Sequence, residues 1–489
     1  MAELVVVANR LPVAPATAAD GTVTWEASPG GLVTALTPVL LARRGAWVGW
    51  PGTRAGVEGE PQAPAEIVTE EGLHLHPVEL DGDDYERFYE GFANATLWPL
   101  LHGLIVAPRY EGDWWESYRE VNHRYALAAA ERADHGATVW VQDYQLMLVP
   151  GILRQLRPDL TIGFFLHIPF PAPEIFRQLP WREEVIRGLL GADLVGFHLD
   201  SCADNFLELC RNIPGHGSAH TGLPDTLEVT GASSVRRATG AVTAPDGRRV
   251  RVGSFPISID SAKVIERAGR ADAARVRRLT GDPAVLLAGV DRLDYTKGIL
   301  RRLEAFEELL ATGALDPAET VLVQVATPSR ERVADYRRLR AEVEHAVGRI
   351  NGRFAELGRP VIHYIHRPVA FDRLLELYRA ADIMLVTALR DGMNLVCKEY
   401  VACHGDASGA LVLSEFTGAA TELDGAHLCN PHDIESVKRA VMAAVHADPA
   451  DARERMARMH AQVRDHDVDL WAGAFLEELA AAHAGGGPR

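Results

Sequence analysis

Cysteine is scarce in this chain: five in 489 residues, at positions 202, 210, 397, 403 and 429. The number is odd and no pair has CxxC spacing, which argues against a disulfide framework and against a cysteine-ligated structural zinc. Long apolar runs are missing too. None approaches the roughly 20 residues that span a bilayer, and the start, Met-Ala-Glu-Leu-Val-Val-Val, has neither the basic region nor the cleavage site of a secretory signal. A reducing cytoplasm and no membrane partner are therefore expected. Positive charge is in short supply: Lys and Arg number 50 against 67 Asp and Glu, a net charge of −17. Such a chain lacks the cationic footprint of a nucleic-acid binder, although a few placed Arg and Lys still make a local pocket for an anionic substrate. HExxH, Walker A and GxSxG motifs are absent as well, so neither a metal nor a cofactor is expected. Asp81-Gly82-Asp83 matches DxD by its letters, but its polar flanks read as a turn.

What is present is a repeating alternation. Short apolar runs lie at Leu4–Ala8, Ala46–Gly49, Thr138–Val141, Ile162–Leu166, Leu194–Phe197, Ala284–Gly289, Val321–Val325, Val361–Ile365, Ile383–Val386 and Ala410–Leu413. Several lack period-2 alternation, as parallel strands buried on both faces do. Helical patterns such as Trp115–Ala133, Ile299–Leu310 and Arg330–Val347 separate them. The rhythm predicts an α/β protein with parallel sheets. Asn212–Arg249 is the weakest stretch for regular structure, with a hairpin turn at Asp246-Gly247. The rhythm restarts after it, so the boundary falls near Phe255. The expected organisation is two doubly wound Rossmann-like domains, 1–254 and 255–467, facing a central cleft. A terminal helix at 468–482 follows, with Trp471, Phe475 and Leu479 at core spacing, and then a disordered tail at 483–489.

In doubly wound sheets ligands gather at the carboxyl ends of the strands, and polar residues follow six of these strands. Arg292 and Lys297 lie five apart after Ala284–Gly289, before a helix: either a diphosphate grip or a solvated basic loop. Arg390-Asp391-Gly392-Met393-Asn394 follows Ile383–Val386; its Gly lets backbone approach a ligand, and Glu399 sits one to two turns into the next helix, placed for a sugar or ribose hydroxyl. Asn9-Arg10 ends the first strand, and Gly30-Gly31 precedes a helix. Gln142-Asp143 and His167-Ile168 end two more strands, and Arg330 ends another. Phe88-Tyr89-Glu90-Gly91-Phe92 and Trp98-Pro99 read equally well as plain core.

Together these segments resemble the trehalose-6-phosphate synthases, retaining glycosyltransferases of family 20 with the two-Rossmann GT-B architecture, the actinobacterial form above all. The resemblance rests on Val6–Arg10, Gly30-Gly31-Leu32, Trp98-Pro99, Trp140–Tyr144, Phe164–Pro171, Arg292–Gly298, Gly348–Gly352 and Leu389–Leu395, in the family's order over nearly the whole chain. It implies a first domain for glucose 6-phosphate and a second for an NDP-glucose donor, with the terminal helix crossing back to the first. Arg292 and Lys297 would hold the donor diphosphate, with Gly30 and Gly31 passing close to it. Leu395, Val396, Cys397, Lys398 and Glu399 would bind the nucleotide, Glu399 on the ribose, and Val369 would line the base pocket. Asp391 and His167 would contact the donor glucose. Arg10, Tyr89 and Arg330 would grip the acceptor phosphate, Asp143 the acceptor hydroxyls, while Trp98 and Ile168 help fix the α-linked outcome. Homo-oligomers, dimer or tetramer, are implied by the resemblance alone. The chain departs from the family at Gln142 and Gln145, where His is usual, and at Ser258, Ala388 and Cys397.

The reaction so implied joins NDP-glucose and glucose 6-phosphate into α,α-trehalose 6-phosphate with retention, without a metal, by same-face displacement. Asp143, His167, Arg292, Lys297 and Asp391 would be its catalytic set. The competing readings are a pseudo-glycosyltransferase joining cyclitols, a non-catalytic sensor of glucose 6-phosphate, and a pyridoxal-phosphate phosphorylase of the same architecture. Uridine, guanosine and adenosine donors all stay open.

Overall fold

The computed structural model describes every residue except 18–22, 28–30, 212–228, 231–239 and 486–489. All ten expected strands are present, most of them longer than the apolar run that announced them. The chain divides into two units, Met1–Pro256 with Asp469–Arg489, and Ile257–Val468.

The first unit is built on a ten-stranded sheet. Its parallel centre runs, in spatial order, Arg249–Ser254, Leu194–Phe197, Thr161–Phe165, Ala133–Gln142, Ala2–Arg10, Ala46–Trp50 and His74–Pro77. Antiparallel strands finish both edges: Gly240–Thr243 with Val229–Thr230 on one side, and Ile67–Val68 on the other. The expected turn joins Gly240–Thr243 to Arg249–Ser254, with Gly247 at φ 83°. In chain order the parallel strands run outward from Ala2–Arg10 in one direction and then from Ala133–Gln142 in the other. That pair is the switch point where a doubly wound sheet opens a crevice.

The second unit repeats the logic with six parallel strands: Ile362–Ile365, Thr320–Thr327, Val285–Arg292, Ile383–Val386, Ala410–Ser414 and His427–Cys429. Its order is 3-2-1-4-5-6, with the switch point between Val285–Arg292 and Ile383–Val386. The strand Thr320–Thr327 is buried along nearly its whole length, because helices cover both faces of a parallel sheet. Leu287, Leu322, Ile383 and Val412 from the sheet pack with Leu303, Phe306 and Leu310 of helix Ile299–Ala311.

The terminal helix runs Val468–Gly485, so residues 483–485, expected in a tail, are helical; 486–489 lie outside the described residues. Its Phe475 ring stacks on Trp140 with centroids 4.5 Å apart and 6° between planes. A Cβ on Gly163 would lie 2.8 Å from Phe475 and Leu479, and one on Gly196 2.7 Å from Phe475. These two strand positions are glycine because Phe475 ring atoms occupy the space a Cβ would need. Trp471, Phe475 and Leu479 are all buried, which fits their near-helical spacing.

Three local features depart from the sequence reading. Helix Ala334–Phe354 starts four residues later than Arg330, because Arg330 itself takes φ 49°. Asp81 does not sit in a plain turn: its carboxylate accepts from the Asp84 N–H at 2.8 Å and caps a helical turn. From there Tyr85–Leu97 winds as a π-helix that continues into Trp98–Leu101. Phe88 and Phe92 are core residues, whereas Tyr85 and Tyr89 remain partly exposed. No helix among the described residues is long and apolar enough to cross a membrane.

Candidate active site

In the first unit, the polar residues after the switch-point strands come together. Arg10 ends its strand, and its guanidinium lies 4.8 Å from the centre of the Trp50 ring. Gly52, at φ 94°, has no room for a Cβ because the Arg10 guanidinium occupies that space. No carboxylate pairs with Arg10 among the described residues, so its charge is open to an anionic ligand. Trp50 also faces Tyr89, with ring centroids 5.9 Å apart. The Tyr89 carbonyl accepts from Asn94 Nδ2 at 2.7 Å, and Asn94 Oδ1 accepts from the Tyr144 hydroxyl at 2.8 Å. This relay ties the π-helix to the loop that carries Asp143.

Asp143 adopts φ 72° and ψ 170°. That region is essentially reserved for glycine, and a residue held there stores about 1–3 kcal/mol of strain. The surroundings impose it. The Asp143 N–H donates to the Phe165 carbonyl at 2.7 Å, and its own carbonyl accepts from the Leu146 N–H at 3.1 Å. Its carboxylate accepts from the His167 N–H at 3.2 Å. The His167 ring then meets Gln142, Nε2 to Oε1 2.9 Å. Burial, with His198 nearby, holds the pKa of His167 well below the ordinary histidine range and so favours the neutral ring. Ile168 is buried beside it in sequence, and Trp98 is buried with its ring 4.1 Å from His102 and 5.6 Å from Tyr144.

The second unit gathers its own set. Strand Val285–Arg292 ends on the exposed Arg292, and Asp294 caps the short turn Tyr295–Lys297. Lys297 Nζ lies 2.6 Å from Asp391 Oδ2, and Asn394 Nδ2 donates to the same oxygen at 3.1 Å. The two switch-point loops are locked together: the Leu389 N–H donates to the Thr296 carbonyl at 2.7 Å, and the Thr387 hydroxyl to the Gly298 carbonyl at 3.2 Å. Gly298 takes φ 63°, and a Cβ there would run into the Thr387 carbonyl.

Asp294 is fully buried and accepts from Thr296 N and Oγ1, from Tyr336 Oη at 2.8 Å and from Arg330 Nη1 at 3.1 Å. Burial pushes its carboxyl up, but Arg330, then Arg292, the Thr296 amide and Lys297 outweigh that and leave it at about 2. Arg330 also contacts the Tyr336 hydroxyl. It therefore belongs to the second unit, whereas Arg10, Tyr89 and Asp143, the residues expected to share its ligand, belong to the first.

Asn394, at φ 78°, accepts from the Cys397 N–H at 3.1 Å and starts helix Leu395–Cys403. The first N–H groups of a helix have no intrahelical partner; with Cys397 capped, those of Leu395 and Val396 remain for an anion. The side chains of the next two residues point elsewhere. Cys397 is buried, its Sγ 3.0 Å from the Asn394 carbonyl. Lys398 is buried, its ammonium bound to Glu422 at 2.7 Å and to the Ile257 carbonyl at 2.8 Å. Glu399 accepts from the Tyr378 hydroxyl at 3.1 Å, and burial pushes its carboxyl up to about 7. Val369 lies partly buried just before helix Phe371–Ala380. Gly31 opens helix Gly31–Ala42, and Gly30 lies outside the described residues. Trp50, Gly52, Asn94 and Asp294 are the participants that sequence reasoning missed. Trp50 and Gly52 follow an apolar strand and were findable by that rule. Among the described residues no group of three or more His, Cys, Asp or Glu is placed to hold a metal ion.

Comparison with known proteins fits this geometry. The model of glycosyltransferase family 20 matches residues 2–481. A trehalose-6-phosphate synthase of Mycolicibacterium gilvum is 55% identical over 483 residues, covering 98% of this chain and 94% of the relative. The crystal structure of an alpha,alpha-trehalose-phosphate synthase (UDP-forming) from Burkholderia vietnamiensis superposes with a TM-score of 0.86 at 34% identity, covering 99% of this chain and 98% of that one. A structure described as trehalose-6-phosphate from E. coli bound with UDP-2-fluoro glucose gives a TM-score of 0.84 at 31% identity, over 97% of this chain and 98% of that one.

Proposed function

The chain belongs to glycosyltransferase family 20, and on that premise we propose that it is a trehalose-6-phosphate synthase of GT-B fold. It transfers glucose from a nucleoside diphosphate-glucose to glucose 6-phosphate and yields α,α-trehalose 6-phosphate with retained configuration. The observation that carries the reading is the Lys297–Asp391 pair at 2.6 Å, across the switch point of a nucleotide-type sheet and beside the open N–H groups of Leu395 and Val396. A cation for the diphosphate and a carboxylate for sugar hydroxyls are thereby held a hydrogen bond apart.

In the proposed reaction the acceptor hydroxyl attacks the anomeric carbon from the face on which the diphosphate departs. The C–O bond to the diphosphate breaks, and the departing phosphate oxygen takes the acceptor proton. Arg292, Lys297 and the helix N–H groups stabilise the charge that grows on that oxygen, in the role that a divalent cation plays in other transferases, so no metal is needed. A covalent route would need a free carboxylate at the anomeric carbon. Asp391 is instead committed to Lys297 and Asn394, and Asp143 to the His167 backbone.

Arg10, Tyr89 and Arg330 hold the acceptor phosphate and Asp143 its hydroxyls. His167 accepts from the donor sugar, and Trp98 and Ile168 shape the α-face. Gly30 and Gly31 pass near the diphosphate and Val369 lines the base. Glu399 takes the ribose, and Leu395 to Lys398 contribute backbone, since Cys397 and Lys398 turn their side chains inward. Uridine is the proposed base, because the two solved relatives named above carry UDP in their descriptions. We place the enzyme in the cytoplasm, where nucleotide sugars are made and where its five buried free thiols stay reduced; self-association as a dimer or tetramer rests on family resemblance alone.

The test is an endpoint assay of purified protein with glucose 6-phosphate and, separately, UDP-, GDP- and ADP-glucose, with chelator present. Trehalose 6-phosphate is the expected product, and the productive well names the base. Folded protein that binds glucose 6-phosphate and makes no product in any well would replace this reading with the sensor.

A further inference from the structure

Gln142 is the last residue of strand Ala133–Gln142, and its side chain is fully buried. Its Oε1 lies 2.9 Å from His167 Nε2, while its amide nitrogen has no hydrogen-bond partner among the described residues. The amide's one recorded side-chain partner is thus the imidazole. The ring is also fixed in place by Phe165, with centroids 4.8 Å apart, by His198 at 5.4 Å and by Trp471 at 6.0 Å. The titratable groups recorded against His167 are His198 beside the ring and Asp143 on its backbone N–H.

An uncharged imidazole carries one proton, on one of two nitrogens, and the partner of one nitrogen decides the state of the other. A carbonyl oxygen facing Nε2 requires the proton there. We propose that Gln142 is a positioning residue for His167: its amide holds the ring as the Nε2–H tautomer, so that Nδ1 presents a lone pair to a hydroxyl of the donor sugar. The sugar part rests on the function proposed above; the tautomer does not.

The choice of an amide is informative. A carboxylate at 142 would also accept from Nε2, but its charge would draw a second proton onto the ring. An imidazolium beside the donor sugar would oppose the positive charge that develops at the anomeric carbon in the transition state. An amide fixes the tautomer and leaves the ring neutral.

The experiment is NMR of the full chain labelled with 15N-histidine, the His167 signals being assigned by their loss in His167→Asn. In the native protein, Nε2 is expected to be protonated and Nδ1 not, unchanged from pH 6 to 9. Gln142→Leu should give a mixture of tautomers and lower kcat about 10-fold, one lost hydrogen bond, with KM for glucose 6-phosphate unmoved. Gln142→Glu should keep the Nε2 proton, show a second ring proton at neutral pH, and recover turnover as pH rises. A native ring protonated on Nδ1, or ring signals unchanged in Gln142→Leu, overturns the inference even in an active transferase. The expected ring signals in a protein without transferase activity would leave the tautomer standing and remove the function it was thought to serve.

Discussion

Asp143 offers a test in which glycine should outperform alanine. At most positions Gly is less stable than Ala, because its unfolded chain has more freedom to lose. At φ 72°, ψ 170° the order reverses. Asp143→Ala loses the carboxylate that accepts from the His167 N–H and keeps the Cβ that makes this backbone costly. Asp143→Gly loses the same bond and sheds the strain. The relief is about 1–3 kcal/mol, from which the unfolded-state entropy of Gly removes about 0.4–1 kcal/mol. The Gly variant should therefore be more stable by about 1–2 kcal/mol, or about 2–6 °C in the melting of the first unit. Both variants should lose acceptor binding alike, roughly 10–100-fold in kcat/KM for glucose 6-phosphate, the scale of charge-assisted hydrogen bonds. Circular dichroism melts and a nucleotide-release assay on the two variants suffice. An Ala variant as stable as the Gly variant would refute the claim that this backbone is strained. Unequal losses of activity would refute the claim that only the carboxylate matters for function.

Arg292→Ala and Lys297→Ala should each lower turnover more than ~100-fold, as removing one electrostatic stabiliser of a leaving charge usually does; near-normal turnover in either takes that residue out of the role. Glu399 should make donor binding pH-dependent. Its carboxyl, raised by burial to about 7, accepts ribose hydroxyls more strongly when ionised, because protonation turns one of its two acceptor oxygens into a donor, so KM for the nucleotide sugar should climb as pH falls below 7, by up to about tenfold per unit, and Glu399→Gln should abolish that slope; a slope that persists in the variant assigns it elsewhere. Phe475→Ala removes the ring stacked on Trp140 against Gly163 and Gly196 and should destabilise the first unit by about 3–5 kcal/mol; a melt unchanged from the native protein would mean that the terminal helix is dispensable there.

What could be read in the sequence and what could not divide along a physical line. Residues that follow apolar strands were found because a doubly wound sheet sends polar side chains to its carboxyl edge whatever else the chain does. Arg10, Asp143, His167, Lys297 and Asp391 all follow from this rule alone. Lys398 enters only through the family resemblance, and its side chain turns away from the nucleotide side. For a lysine one turn into the donor-side helix Leu395–Cys403, nothing local signals that Glu422, 24 residues on, and the Ile257 carbonyl, 141 residues back, draw it inside. Two residues that the strand-end rule does reach have partners just as hidden from it: Arg330 meets Asp294, 36 residues earlier, and the missing Cβ of Gly52 is explained by Arg10. The π-winding of Tyr85–Leu97 leaves no pattern of its own, because Phe88 and Phe92 lie on a buried stripe in either kind of helix. Local rules therefore delivered the places where chemistry happens, and pairings across long sequence distances decided how each side chain is aimed. Gln142 shows the consequence: as a departure from a family pattern it was only an oddity, and beside His167 it acquires a function that a proton's position can test.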